Sequence, residues 1–190
     1  MLKVGLTGGI GSGKTFVAEI MKRHGFPVFD ADSEAKKLYA NPDVIAEVRQ
    51  MFGESVFVEG NIDFGQLAKA VFNSPELLQK LNDIIHPLVR QNYIKWAEEQ
   101  NSDVAVMESA IVFESDLQKM FDKIIVVDAP EEVRVERIKT RNPNWSESEI
   151  RRRIASQMPQ SEKCALADFV IINDGKSELE SQILKIKTLL

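Results

Sequence analysis

Residues 5–17 read GLTGGIGSGKTFV, with glycine at 8, 9, 11 and 13 and a lysine and a threonine directly after. Glycine is entropically costly to order, so such a cluster is kept where the backbone turns sharply or approaches something closely. Before it, LKVGLT (2–7) is a short apolar run of the kind that forms a buried parallel strand. After it, Val17, Ala18, Ile20 and Met21 share one helical face until Gly25 ends the helix. Strand, glycine turn and helix are the context in which G-x-x-x-x-G-K-[ST] binds phosphate, and Gly8, Gly13, Lys14 and Thr15 satisfy that spacing. The bare backbone turns several N–H groups toward phosphate oxygens, and the helix start adds its positive end. In this pattern Lys14 bridges the β- and γ-phosphates of a nucleoside triphosphate and the Thr15 hydroxyl sits on Mg²⁺. A plain glycine turn is the competing reading, and it leaves the lysine and threonine at their offsets unexplained.

The same alternation continues along the chain. Phe26–Asp30, 103–109, 123–128 and 168–174 are further apolar, strand-like runs. A last helix over 177–190 carries Leu179, Ile183, Ile186 and Leu190 three or four apart. Repeated strand–helix alternation implies an α/β fold, a parallel sheet covered by helices on both faces. Two stretches interrupt it. Residues 33–100 show helical patterns and no convincing strand, with Leu77, Leu81, Ile84, Ile85 and Leu88 as one stripe and Pro87 expected to kink or restart the helix. Residues 141–165 are polar and charged. The expected organisation is a single domain: a core of about 1–32, 101–140 and 166–190, a helical acceptor-binding insertion at about 33–100, and a mobile lid at about 141–165.

Composition narrows the function classes. A hydrophobic content of 44% supports a real core, and a net charge of −5 argues against general binding to nucleic acid or to anionic membranes. One cysteine, Cys164, makes neither an internal disulfide nor a cysteine zinc cluster. The amino-terminal residues break into glycines too early for a signal-peptide core, and no apolar run is long enough to span a bilayer, so the expected compartment is the cytoplasm. A guanine-reading N-K-x-D is absent and the chain is short for a motor ATPase, while a small phosphate-loop domain with a helical insertion and an arginine-bearing lid looks like a kinase of small metabolites that uses a nucleoside triphosphate with Mg²⁺. A monomer is the favoured state.

The acceptor side is sought after the second strand, in FDADSEAKKLY. Asp30 and Asp32 stand two apart at the carboxyl end of a parallel strand, where α/β folds bind ligands. One carboxylate can accept the acceptor's hydroxyl proton and the other can hold a magnesium-bound water, or one is simply the cap of the helix starting near Ser33. In IIHPLVR, His86 and Arg90 are four apart and suited to an anionic acceptor, against a neutral histidine at a kink. Arg137 and Arg141 are candidates for closing over the triphosphate. Of Arg151–Arg153, at least one is a solvated charge. Glu108 and Glu114 follow the third strand and serve either the metal or acceptor site or the structure.

These pieces together resemble dephospho-CoA kinases over nearly the whole chain: LTGGIGSGKT, FDADSEAKKLY, IIHPLVR, VFES, RVERIKTRN, RIASQM, EK and ADFVIINDG. The combination of D-A-D, H-P-x-x-R and R-I-x-x-Q with the glycine loop is much more specific than the loop alone. The resemblance implies a five-stranded parallel sheet flanked by helices and transfer of the ATP γ-phosphate to the ribose 3′-hydroxyl of dephospho-CoA. It implies ATP contacts from Gly9, Gly11, Ser12, Gly13, Lys14, Thr15, Phe16, Arg137, Arg141, Asn173 and Gly175, the last two toward adenine. It implies Asp32 as the base, assisted by Lys14 and Arg141, and substrate contacts from Asp32, His86, Arg90 and Glu114. Thr15 and Asp30, the latter through water, would serve the metal. Ala110 stands where the family commonly has proline, and Cys164 and Leu166 stand where basic residues are frequent.

Overall fold

The computed structural model describes residues 1–72 and 74–190. In chain order its elements are β1 (Leu2–Thr7), α1 (Lys14–Arg23), β2 (Val28–Asp30), α2 (Ala31–Leu38), α3 (Pro42–Phe52), β3 (Phe57–Val58), β4 (Asn61–Ile62), α4 (Phe64–Phe72) and α5 (Pro75–Glu98). Then come β5 (Val104–Glu108), β6 (Lys123–Asp128), α6 (Glu131–Arg141), α7 (Glu147–Ala155), α8 (Gln160–Ala165), β7 (Phe169–Ile172) and α9 (Leu179–Lys187). They form two compact units, Met1–Asp30 with Glu99–Leu190, and Ala31–Glu98.

The first unit holds a five-stranded sheet in the order β2-β5-β1-β6-β7. Every pairing in it is parallel, as the apolar runs imply. Its central strands read as unbroken apolar runs because both faces are covered: Val4, Leu6, Ala105, Val106, Met107, Ile125, Val126 and Val127 are all fully buried. Val17, Ala18, Ile20 and Met21 of α1 and Ile183 and Ile186 of α9 pack into the same core. The strand order reverses at β1, so the loop leaving Thr7 emerges at the topological switch point where such sheets bind ligands. Asp30, Glu108 and Asp128 end β2, β5 and β6 on that same edge. β2 is shorter than the apolar run suggests. Pro27 has no N–H to give, although its carbonyl still accepts from Val106 N at 3.0 Å.

The segment 141–165 is not irregular. Ser146 and Glu149 form a capping box that starts α7. Arg151 ties α7 to Glu131 and Glu132 of α6 as well as to Glu147. Arg153 lies over the Trp145 ring at 4.0 Å. Val135, Ile138, Ile150 and Ile154 make a small second core, against which Ile10 of the glycine loop packs. All three adjacent arginines therefore make protein contacts, Arg152 through its Nε to the Ser148 carbonyl at 3.4 Å.

In the second unit α3 begins with Asn41 capping the amide of Asp43 at 2.9 Å. Two sequence expectations are corrected here. Phe57–Val58 and Asn61–Ile62 pair as a two-stranded antiparallel hairpin where no strand was expected. Glu59 and Gly60 both have positive φ, as a tight hairpin turn of this twist requires, but strands two residues long leave no periodic signal. Pro87 does not restart its helix, since α5 runs through it from Pro75 to Glu98. An interior proline costs on the order of 3 kcal/mol. Leu81, Ile85, Val89, Tyr93 and Ala97 form one buried line on both sides of it, and burying each large side chain contributes about 1.5–3 kcal/mol, so the packing wins.

Candidate active site

The glycine loop takes its shape from backbone angles and close contacts. Gly8, Gly11 and Gly13 all have positive φ. A Cβ on Gly8 would run into the Val127 carbonyl, and one on Gly13 into the Asn173 side-chain amide, so at these two positions both conformation and space require glycine. Gly13 directly precedes α1 in left-handed conformation, without a side-chain cap, and no acidic residue sits in the first turn. The helix therefore presents its first N–H groups and its positive end to whatever lies before it, which is the arrangement that binds phosphate.

Two sets of distant residues brace this loop. On one side the buried Asn173 donates through Nδ2 to the Ser12 carbonyl at 2.8 Å. Arg137 donates to the same carbonyl at 3.3 Å and to Asn173 Oδ1 at 3.1 Å. On the other side Gln160 Oε1 accepts from the Gly9 amide at 2.9 Å and Gln157 Oε1 from the Ile10 amide at 2.7 Å. Arg134 Nε donates to the Ile10 carbonyl at 2.9 Å. Burial pushes the Arg134 pKa below the usual arginine value, against the pull of Glu131 and Asp128. Ser12 N in turn donates to the Gly9 carbonyl at 3.1 Å.

Within the loop, Lys14 Nζ lies 3.5 Å from the Gly9 carbonyl, so the side chain bends back over the turn. The Thr15 hydroxyl donates to Glu108 Oε1 at 2.8 Å, and Glu108 is buried at the end of β5. Asp30 is its register partner on β2. No cluster of three or more acidic, histidine or cysteine side chains suited to a metal occurs among the described residues. Mg²⁺ does not need one: it keeps several waters and takes one or two protein oxygens plus substrate phosphates. A threonine hydroxyl bonded to one strand-end carboxylate, with a second carboxylate-bearing residue in register on the next strand, fits that demand.

The remaining predicted residues fall in different surroundings. Phe16 is 60% exposed on the first turn of α1. Arg141 is exposed at the end of α6, and Gly175, with positive φ, follows β7 with nothing near its Cβ position. Glu114 faces the lid segment: it pairs with Lys163 Nζ at 2.7 Å and accepts from the Met158 amide at 3.1 Å. Lys163 is fully buried and also donates to the Ala110 carbonyl at 2.9 Å. These contacts give Glu114 an anchoring role in the fold. Asn173, expected near adenine, has its side chain committed to the loop.

In the second unit α2 begins at Ala31, earlier than the sequence suggested, so Asp32 lies exposed in its first turn rather than ahead of it. His86 and Arg90 are partly buried, one turn apart on the continuous α5. Burial lowers the His86 pKa, the neighbouring Arg90 lowers it further, and Asp83 pulls the other way. His86 is thus neutral at pH 7 and offers hydrogen bonds, while Arg90 supplies the positive charge.

Sequence reading missed Arg134, Gln160 and the bracing role of Gln157. Arg134 opens RVERIKTRN and Gln157 closes R-I-x-x-Q, so both stood in quoted motifs. Nothing local links them to a loop 124 and 147 residues away. A cleft of about 770 Å³ lies beside this bracing, lined by Asp128, Arg134, Gln157, Met158, Gln160 and Cys164 among others. Burial and the nearby Asp128 raise the Cys164 pKa, which keeps the thiol protonated and unreactive.

Comparison with known proteins gives a consistent picture. Residues 2–178 match the family model described as dephospho-CoA kinase. A protein named dephospho-CoA kinase from Bacteroides fragilis is 43% identical over 187 residues, covering 97% of this chain and 91% of its own. A crystal structure from Thermus thermophilus superposes with a TM-score of 0.90 at 33% identity, covering 99% of this chain and 96% of its own. A structure described as dephospho-CoA kinase from Campylobacter jejuni superposes with a TM-score of 0.69 at 26% identity, covering 98% and 95%.

Proposed function

The chain belongs to the dephospho-CoA kinase family, and from that membership we propose how its residues divide the work. Its reaction is the ATP-dependent phosphorylation of dephospho-CoA, the final step of coenzyme A biosynthesis. The finer reading is that the acceptor is the ribose 3′-hydroxyl. The oxygen of that hydroxyl forms a new bond to the γ-phosphorus, the bond from that phosphorus to the β–γ bridging oxygen breaks, and the hydroxyl proton passes to Asp32.

The observation that carries the donor side is the uncapped start of α1 behind a left-handed Gly13. The amides of Gly9, Ile10 and Ser12 are engaged by protein acceptors, so the phosphates take amides such as those of Gly11, Gly13 and Thr15. Lys14 neutralises the transferring phosphoryl group, and Arg137, Arg141 and Phe16 complete the nucleotide side with the backbone near Gly175 toward adenine. Thr15, with Glu108 and Asp30 directly or through water, would hold Mg²⁺, which spreads the developing charge of the β- and γ-oxygens. Residues 31–98 form the acceptor unit, where Arg90 pairs with an anionic group and neutral His86 hydrogen-bonds it. Residues 141–165 serve as the lid. The same reading takes the cytoplasm as the compartment and the monomer as the working form. Among the described residues no helix is long and apolar enough to cross a membrane.

ATP consumption with and without dephospho-CoA tests this reading. A kinase consumes ATP only with the acceptor present. A nucleotide-driven switch or assembly ATPase would hydrolyse ATP at the same rate without it, and that result would remove the acceptor from the account.

A further inference from the structure

The two lid glutamines reach the glycine loop from opposite ends of one short stretch. Gln157 follows α7 and takes the Ile10 amide at 2.7 Å. Gln160 begins α8 and takes the Gly9 amide at 2.9 Å. Gln160 also donates through Nε2 to the Val127 carbonyl at 2.8 Å, so one side chain joins the loop, the lid and the end of β6. That carbonyl is the one against which Gly8 is packed too tightly for a side chain. The stretch carrying both glutamines is itself pinned, through the Met158 amide and the buried Lys163, to Glu114 and the Ala110 carbonyl.

We propose that Gln157 and Gln160 are positioning residues for phosphoryl transfer, which hook the lid onto the first turn of the phosphate loop. A loop with four glycines has many conformations open to it, and each must be removed before its later amides converge on phosphate. Holding the amides of residues 9 and 10 fixes the plane of the turn from outside, without occupying the amides that bind the nucleotide. The same two bonds make the loop geometry depend on the seating of the lid. The two glutamines touch no reacting atom. The inference rests on the phosphate-loop reading above, but its first readout does not.

That readout is amide hydrogen exchange at Gly9 and Ile10 in the full-length chain, followed by NMR. Gln157→Ala should speed exchange at Ile10 by about tenfold or more while Gly9, held by Gln160, changes little. Turnover at saturating ATP and dephospho-CoA should fall by about tenfold in that variant at a temperature well below its melting point. Gln157→Glu keeps an acceptor oxygen and should restore both values. Gln160→Glu keeps the acceptor for Gly9 but sets a carboxylate oxygen against the Val127 carbonyl, so turnover should fall and Gly9 protection should drop. Unchanged Ile10 exchange in Gln157→Ala, or full turnover in it with only a lower melting temperature, would overturn the proposal. So would a Gln157→Glu variant that folds but restores neither value. If the unaltered chain fails to phosphorylate dephospho-CoA, the functional reading fails instead, and the exchange data still decide whether the hook exists.

Discussion

The phosphate loop and the helical unit Ala31–Glu98, proposed as the donor and acceptor sides, are built on different chemistry. The loop is distinguished by its backbone: glycines at positive φ and an uncapped helix start. On the proposed reading the helical unit would work through side chains set on ordinary helices, with Asp32 exposed in the first turn of α2 and His86 and Arg90 partly buried on α5. Backbone chemistry leaves a strict local spacing, because each glycine is needed at one angle. Side-chain chemistry on a helix leaves short spacings such as D-A-D and H-P-x-x-R, each of which taken alone also allows a structural reading, a helix cap or a kink. The donor half of a phosphotransferase is therefore easier to recognise than its acceptor half.

The largest expected effect breaks that comparison from the side-chain end. Asp32→Asn keeps the size of the residue but cannot take a proton, so turnover should fall by about 10²–10⁴ with near-normal binding of ATP and dephospho-CoA. Steady-state kinetics with binding measured separately checks this. Near-full turnover with only a lower melting temperature would make Asp32 a charge that stabilises the start of α2 and nothing more.

Lys14→Ala tests the loop in the one place where it depends on a side chain. Loss of a charge aimed at the transferring phosphoryl group should cost about 10²–10³ in turnover while the fold stays intact. Comparing kcat with the circular dichroism spectrum separates the two, and unchanged kcat would contradict the phosphate-loop assignment.

Asn173→Ala sharpens the comparison, because it removes a brace without touching the loop's own sequence. The Ser12 carbonyl keeps its bond from Arg137 but loses the shorter one, an effect of roughly 1–3 kcal/mol for a buried partner. The melting temperature should fall, turnover should drop by about tenfold, and the preference for ATP over GTP should stay the same. A changed nucleobase preference would instead return Asn173 to the adenine contact expected from its sequence position.

The smallest effect concerns His86. Its folded pKa lies below the ordinary value of about 6.5, so on acidification through that value the unfolded chain binds protons that the folded chain refuses. Stability is then present above the unfolded pKa and declines as pH falls below it. Melting temperatures measured from pH 7.5 to about 5.5 should drop more steeply for the unaltered chain than for His86→Gln. Parallel curves would mean that His86 is not held neutral by its surroundings.

The sheet was legible because its central strands are buried on both faces, and continuous apolar runs such as KIIVVD announce that condition directly. The loop was legible because its glycines and Lys14-Thr15 obey fixed offsets. The β3–β4 hairpin was not, since it is too short to show a period. The path of α5 through Pro87 was not, because it is decided by a buried line of side chains rather than by the proline itself. Arg134, Gln157 and Gln160 escaped notice for a third reason. Each bonds the backbone of a loop more than 120 residues distant, with no spacing rule to betray it.

The most direct test of the central claim is where the phosphate goes. The full-length chain is incubated with Mg-ATP and dephospho-CoA, and the product is examined by mass spectrometry and by phosphorus–proton coupling in NMR. The account predicts that dephospho-CoA gains one phosphate and that the coupling is to the proton on ribose C3′, with ADP formed in equal amount. A phosphate on any other oxygen, or release of inorganic phosphate with dephospho-CoA unchanged, would contradict it.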